Sequence, residues 1–416
     1  MRNKRIFINT SFYFFASLIR ALLSLAVNPL IAMNMTHYDY ALTGFYTSFN
    51  SLLLPVFSLM YGQYYSRHYF RLKTDEERTE LENDLVISRL IFNVFELIFI
   101  LLAFTVYARL QNIEFPTIPY ALITFSTIIF NSVYTFHLLT LKMRKKAKSY
   151  FKISLYHALT LTGLSLLFVV VFKLGALGKL SALLLTAVLF SVFLLPKLVK
   201  KIRINKELTI DALKFCWPLI IAGALGYFFT GFDRALLVNL DNNFELGLYN
   251  VAITISGFLM IFQTSLNDTF QPDIFEAVAK NNKKKLFKIL GGINLLNLVP
   301  IIFFIALAPF IIKVLTADRF TEAYKYARIL ALRNISAGMF YSMAGVIIAY
   351  GYTRISLINK VVGSVLSIFL FKFLISEFEF YGAAWGQVLS FVIMTIVAVI
   401  VLLLKRSRLI KFKSVK

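Results

Sequence analysis

Residues 217–237 read Trp217-Pro218-Leu219-Ile220-Ile221-Ala222-Gly223-Ala224-Leu225-Gly226-Tyr227-Phe228-Phe229-Thr230-Gly231-Phe232-Asp233-Arg234-Ala235-Leu236-Leu237. As a helix this stretch rises about 30 Å, the thickness of a bilayer hydrocarbon core. Asp233 and Arg234 are its only charged residues. An ionisable pair in such a segment is costly and marks a functional site unless the two groups simply satisfy each other or reach the interface. The question is whether the rest of the chain is built for lipid too.

It is. The mean hydropathy is +0.74 and 59% of residues are hydrophobic, outside the range of soluble domains. Windows of about 20 apolar residues recur at 8–32, 42–66, 86–108, 118–140, 151–172, 177–196, 213–238, 246–270, 288–314, 327–350, 355–376 and 382–404. The chain therefore reads as an all-α polytopic membrane protein of twelve transmembrane helices. The basic cluster Arg2-Asn3-Lys4-Arg5 resembles the start of a signal peptide, but the apolar run continues to Met33 without a cleavage site, so it reads as a retained first span.

Charge gives the orientation. The formal net charge is +23, which in a soluble protein would suggest nucleic acid. Here most of the basic residues fall in alternate loops: Arg67 to Arg89, Lys142 to Lys148, Lys197 to Lys206, Lys280 to Lys288, Arg354 to Lys360 and the Lys405 to Lys416 tail. The intervening loops, such as Gln111 to Pro119 and Asp241 to Glu245, carry few. By the positive-inside rule both termini are cytoplasmic, and no nucleic-acid partner is called for.

Paired segments suggest an internal duplication. Gly44-Phe45-Tyr46 and Gly247-Leu248-Tyr249 open the second and eighth spans, and Gly175-Ala176-Leu177-Gly178 and Gly382-Ala383-Ala384-Trp385-Gly386 the sixth and twelfth. Arg20-Ala21-Leu22-Leu23 in the first span parallels Arg234-Ala235-Leu236-Leu237 in the seventh. The expected lobes are 1–205 and 206–416, six helices each and in the same orientation.

Few residues inside the spans carry chemistry. Arg20 sits in the middle of the first span, and Arg234 and Arg333 lie near the outer ends of the seventh and tenth. Planar guanidinium groups in a low-dielectric cleft suit a phosphate-bearing headgroup. The alternative for Arg234 and Arg333 is pairing with Asp233 or snorkelling outward. Glu96, Asp233 and Asp268 are candidate ion-coupling or ion-pair carboxylates, with a capping role favoured for Asp268. His137 and His157 read as interfacial. Pro29, Pro55, Pro218 and Pro300 are candidate helix breaks.

The lone Cys216 and four scattered histidines offer no disulfide or metal site. No G-x-x-x-x-G-K-[ST] motif, catalytic triad or paired-carboxylate loop occurs, so neither a cofactor nor enzymatic activity is expected.

Three motifs then carry a resemblance. Leu213-Lys214-Phe215-Cys216-Trp217-Pro218-Leu219 followed by Phe232-Asp233-Arg234, Glu245-Leu246-Gly247-Leu248-Tyr249-Asn250, and Tyr381-Gly382-Ala383-Ala384-Trp385 together resemble polysaccharide flippases. Gly351-Tyr352-Thr353 adds to them. These flippases are the O-antigen and capsule repeat-unit exporters of the multidrug/oligosaccharidyl-lipid/polysaccharide superfamily. The resemblance covers the whole chain, though Tyr40-Ala41-Leu42-Thr43-Gly44-Phe45-Tyr46 matches the family's first-half signature only loosely.

What the resemblance implies is a two-lobed transporter with a central cationic cavity. It would move undecaprenyl-diphosphate-linked oligosaccharide from the cytoplasmic to the periplasmic leaflet of a bacterial inner membrane. Arg20, Arg234 and Arg333 would hold the diphosphate, and polar groups such as Asn9, Thr10, Ser11, Gln263 and Asn267 would line a path for the sugar. Membrane lipids and other polysaccharide assembly proteins would be its partners. The rival classes are a cation-coupled multidrug antiporter, which needs carboxylates in its cavity, and a membrane-embedded polymerase or glycosyltransferase, which needs an acidic catalytic site or a large outer loop.

Overall fold

The computed structural model describes residues 2–69, 72–202, 204–280, 282–349 and 353–413, and no strand occurs among them. The chain divides into two compact units, Met1–Ala224 and Leu225–Lys416. The division falls inside the seventh predicted span rather than at residue 205. The reason is local: the first part of that span packs onto helices of the first unit, and the chain loses its helical hydrogen bonding just beyond it.

The first unit comprises α1 (Arg2–Met33), α2 (His37–Ser48), α3 (Asn50–Phe57), α4 (Tyr61–Tyr69), α5 (Asp75–Leu110), α6 (Thr117–Met143), α7 (Ala147–Ser165), α8 (Gly175–Leu198) and α9 (Lys206–Ala224). Its starts follow the sequence. Thr36 with Asp39 and Thr74 with Glu77 form reciprocal capping boxes at α2 and α5. Asp39 also ties two helices together, because its Oδ1 accepts the Ala176 N–H at 2.8 Å in the first turn of α8. Gly175 makes room for that contact, with φ +52°; a Cβ there would overlap the Asp39 carboxylate.

The second predicted span is not one helix. It is cut into α2, α3 and α4, and between α3 and α4 Leu59 and Met60 both adopt left-handed φ, at 47° and 50°. Below the cut, Tyr61, Tyr64, Tyr65 and Tyr69 of α4 bury against Leu85 and Val86 of α5, Val133 and Phe136 of α6, Leu194 of α8 and Cys216 of α9. Two of these hydroxyls find acidic partners: Tyr65 donates to the buried Glu82 at 2.6 Å and Tyr64 to Asp211 at 2.6 Å. Arg144 completes the first pair at 2.9 Å from Glu82.

The second unit comprises α10 (Tyr227–Thr230), α11 (Phe232–Leu237), α12 (Asn243–Ser256), α13 (Phe258–Ala279), α14 (Lys283–Leu315), α15 (Tyr324–Ala349) and α16 (Thr353–Lys413). Glu379, at φ 47° and ψ −123°, folds α16 into two arms that correspond to the eleventh and twelfth predicted spans. Gly382 allows the arms to meet, since any Cβ there would occupy the Leu374 carbonyl.

Eight helical segments among the described residues are long and apolar enough to cross a bilayer, and Leu18–Met33 is a shorter apolar one. Their outer faces match lipid. On α5, Val94, Phe95, Phe99, Leu102 and Val106 are each more than half exposed, as are Leu295, Val299, Ile302, Phe303 and Phe310 on α14. In water such stripes would aggregate; hydrocarbon satisfies them. The protein is an all-α polytopic membrane protein.

Proline placed the breaks less well than expected. Pro29, Pro218 and Pro300 lie inside continuous helices, and only Pro55 stands close to a cut. In a bundle, neighbouring groups re-satisfy the carbonyl that a proline frees, so the helix continues. His137, expected at the interface, is buried in α6, and the partly buried His157 stacks on Tyr134 at 4.0 Å between ring centres.

Candidate functional site

The charged pair of the opening stretch becomes the centre of a polar network in the second unit. The helix breaks at Gly231, so Asp233 and Arg234 fall in the first turn of the short α11. Asp233 is fully buried. Its Oδ2 accepts the Tyr249 hydroxyl from α12 at 2.6 Å and the Gln387 side-chain amide from the second arm of α16 at 2.8 Å. The Gln387 carbonyl in turn accepts Arg333 Nη1 from α15 at 2.8 Å. Four helices are thus joined in one network, with α12 and α16 donating to the carboxylate on α11 and α15 reaching it through Gln387.

Arg234 is held differently. Its Nη2 donates to the Thr230 carbonyl at 2.8 Å, and its Nε stands 3.8 Å from Asp233 Oδ1. That is an ion pair without a hydrogen bond, and among the described residues neither Arg234 Nε nor Asp233 Oδ1 has a hydrogen-bond partner. Gln387 spaces Arg333 from the carboxylate, so the Arg333 charge is only partly compensated. With one carboxylate against two guanidinium groups, the cluster carries one net positive charge in a low-dielectric setting, where it attracts an anion more strongly than in water.

A second tie stands at the expected outer end of the same unit. Glu245, at the start of α12, accepts Lys325 at 3.0 Å and the Tyr326 hydroxyl, and the Tyr326 ring packs edge-on against Tyr249 at 5.8 Å. The phenol of Tyr326 is raised above its ordinary range by burial and by its bond to the Glu245 carboxylate. Deeper in the unit, Gln263 is buried, and Asn297 donates to the Asn334 carbonyl at 3.1 Å. The side chain of Asp268 lies outside the described residues, as do those of Asn9, Thr10 and Ser11 and the whole of Gly351 and Tyr352.

The remaining predicted residues belong to the first unit. Arg20 is exposed on α1, within electrostatic reach of the stacked Tyr134 and His157. Glu96 is partly buried on α5, where the Asn93 amide can donate to it at 2.9 Å and to the Phe57 carbonyl at 2.8 Å. Within the second unit the structure gathers Asp233, Arg234 and Arg333 into one cluster, and Arg20 and Glu96 belong to the first unit.

Three residues escaped the sequence reading. Tyr249 was visible only as part of a motif, and Gln387 only as a polar residue in an apolar window. Arg89, counted among the loop cations, is 2% exposed inside α5. Its spacing to Asn93 and Glu96, four and seven residues on, puts all three on one helix face and was the available signal.

Comparison with known proteins agrees with this architecture. The polysaccharide biosynthesis protein family matches residues 6–272. No curated protein matches the chain. Among solved structures, the chain is similar to the lipid II flippase MurJ in an inward closed conformation, with 16% identity and a TM-score of 0.68 over 93% of this chain and 86% of the other. It is similar to an inward-facing multidrug resistance MATE family transporter of the MOP superfamily, with 13% identity and a TM-score of 0.67 over 96% and 99%. A MOP superfamily transporter from Pyrococcus furiosus, described as having a binding pocket of reverse polarity, shares 15% identity with a TM-score of 0.64 over 99% and 96%. At these identities the likeness speaks for the fold. The chain belongs to the polysaccharide biosynthesis protein family and shares its fold with the lipid II flippase MurJ and with MATE family transporters.

Proposed function

We propose that the protein is a flippase, not an enzyme, that moves an undecaprenyl-diphosphate-linked oligosaccharide, an O-antigen or capsule repeat unit, from the cytoplasmic to the periplasmic leaflet of a bacterial inner membrane. Twelve spans, cytoplasmic termini and alternating access between two lobes are part of this reading. The observation that carries it is the net-positive cluster of Arg234, Arg333 and Asp233 in a member of a polysaccharide biosynthesis family. Arg333, spaced from the carboxylate by Gln387, is the guanidinium best left to meet a diphosphate. Arg20, exposed on α1, is assigned the same class of contact from the first unit.

The cationic-drug reading asks for a carboxylate that is free to meet a cation, and Asp233 is already engaged by Tyr249, Gln387 and Arg234. Outward movement of an anion also gains about 2.3 kcal/mol per charge per 100 mV from an inside-negative potential. The test is transfer of lipid-linked oligosaccharide across vesicle membranes, together with surface-polysaccharide display in cells at matched expression. Arg333→Gln and Arg20→Ala should each reduce both by about 10-fold or more, the scale of one lost charge-assisted contact. Full transfer and display in both variants would sink the arginine-clamp assignment.

A further inference from the structure

The cut in the second span sits where a membrane protein can least afford irregular backbone. Such backbone is tolerated only where it is buried in protein or lines a wet cavity, and strained residues cluster at functional sites. Here the cut lines a cavity of about 190 Å³ within the first unit. Ser58 comes from the break itself, Gly62 and Gln63 from the first turn of α4, Arg89 from α5, and Ser132 and Thr135 from α6.

Arg89 is the unexplained group in that cavity. It is 2% exposed, yet its one hydrogen bond among the described residues is a long one, Nη1 to the Ser132 carbonyl at 3.4 Å. Among the described residues Nε and Nη2 have no acceptor, and no carboxylate forms an ion pair with the guanidinium. The contrast with Arg144, held by Glu82, is direct. Glu96 is no substitute: it stands two turns along α5, about 10 Å away by helical rise, and Asn93 already engages it. Phe136 presents its ring face 5.5 Å from the guanidinium carbon, which shields the charge without neutralising it. A buried cation with no partner costs several kcal/mol, so its presence points to an anion that joins it.

The free atoms also specify the anion. Nε–H and Nη2–H point the same way along one edge of the guanidinium, the edge that clasps two oxygens of one oxyanion. The positive end of α4 and the exposed Gln63 amide stand on the same cavity. A tetrahedral oxyanion can give two oxygens to Arg89 and turn the others toward α4 and Gln63, whereas a planar carboxylate would spend both on the guanidinium. The volume equals about six waters, enough for a phosphoryl group and too small for an oligosaccharide.

We propose that this cavity is a second anion site, confined to the first unit, in which Arg89 clasps a phosphoryl group at the break of the second span, with Gln63 and Thr135 at its lip. The argument uses the first unit alone and does not depend on what the transporter carries. A lipid diphosphate headgroup and free phosphate share this chemistry.

The experiment takes the full-length protein in phosphatidylcholine nanodiscs, carrying Arg333→Gln to weaken the second unit's cluster, and follows its melting temperature at constant ionic strength. One arm titrates inorganic pyrophosphate; the other incorporates farnesyl diphosphate. At least one probe should raise the melting temperature, and Arg89→Gln should abolish that rise while leaving the unliganded protein at least as stable. Gln63→Glu, which only adds a negative charge at the exposed lip, should weaken the response about 10-fold, and it decides the matter if Arg89→Gln fails to fold. A response to pyrophosphate assigns a soluble anion, and a response to farnesyl diphosphate alone assigns a lipid headgroup. The proposal is overturned if neither probe acts, or if the response persists undiminished in Gln63→Glu and in any Arg89→Gln protein that folds.

Discussion

Replacing Asp233 by alanine tests the network at its centre. The carboxylate is fully buried and accepts two hydrogen bonds, from Tyr249 at 2.6 Å and Gln387 at 2.8 Å. Hydrogen bonds to a charged group contribute about 1.5–3 kcal/mol each, and removing one partner of a buried ion pair costs about 3–5 kcal/mol because the other charge is left uncompensated. Asp233→Ala leaves both Arg234 and Arg333 without their anion, so we expect a loss of about 3–5 kcal/mol. For a cooperative unit of roughly 200 residues, with an unfolding entropy near 0.4 kcal/mol per kelvin, that lowers the melting temperature by about 7–12 °C.

Tyr249→Phe removes one donor and should cost about 1.5–3 kcal/mol. Because the Tyr249 hydroxyl acts through Asp233, the double variant should lose about 1–3 kcal/mol less than the sum of the single losses. The assay is thermal unfolding of purified protein in one detergent at one scan rate, since membrane-protein melting is generally scan-rate dependent. A loss below about 1 kcal/mol for Asp233→Ala, or single effects that add to within about 0.5 kcal/mol, would refute the reasoning.

Two more outcomes follow from the loops and caps. Gly175→Ala should destabilise by about 2–4 kcal/mol, combining a left-handed backbone for a residue with a Cβ and the loss of the Asp39 tie to α8; adding Asp39→Ala should recover part of it, because the overlap is with that carboxylate. At the junction of α13 and α14, hydrogen bonds from Lys280 and then Lys285 lower the Glu276 carboxyl from its ordinary 4.5 to about 2. A depressed carboxyl stabilises the junction above the unfolded value and loses that contribution as pH falls from about 4.5 toward 2. The protection factors of the Lys280 and Lys285 amides, exchange measured against the intrinsic rate at each pH, should therefore fall as pH drops across that window in the native chain, and Glu276→Gln should flatten the change.

The candidate site was half legible in the sequence. Asp233, Arg234 and Arg333 stand out because charge in an apolar window is conspicuous, but nothing in a linear pattern says that Gln387, 54 residues beyond Arg333, holds its Nη1. Tyr249 looks like one aromatic among 21 tyrosines until its hydroxyl is seen on Asp233. Arg89 went unnoticed because, at the edge of the 86–108 window, it was counted with the loop cations, whereas burial depends on what the neighbouring helices cover. Arg20 stood out by its mid-span position, and in the first unit it lies exposed on α1.

What the sequence alone determined is the membrane class, the approximate places of the spans and the unequal charge of alternate loops. Those follow from transfer free energy and from the cost of moving cations across a bilayer, both of which act residue by residue. Only the tertiary structure decided where the second and seventh spans break, that the first compact unit ends at Ala224, and which buried charges have partners. Breaks and partners depend on which groups from distant segments satisfy a freed carbonyl or an isolated guanidinium. That is a property of packing, and hydropathy along one helix does not contain it.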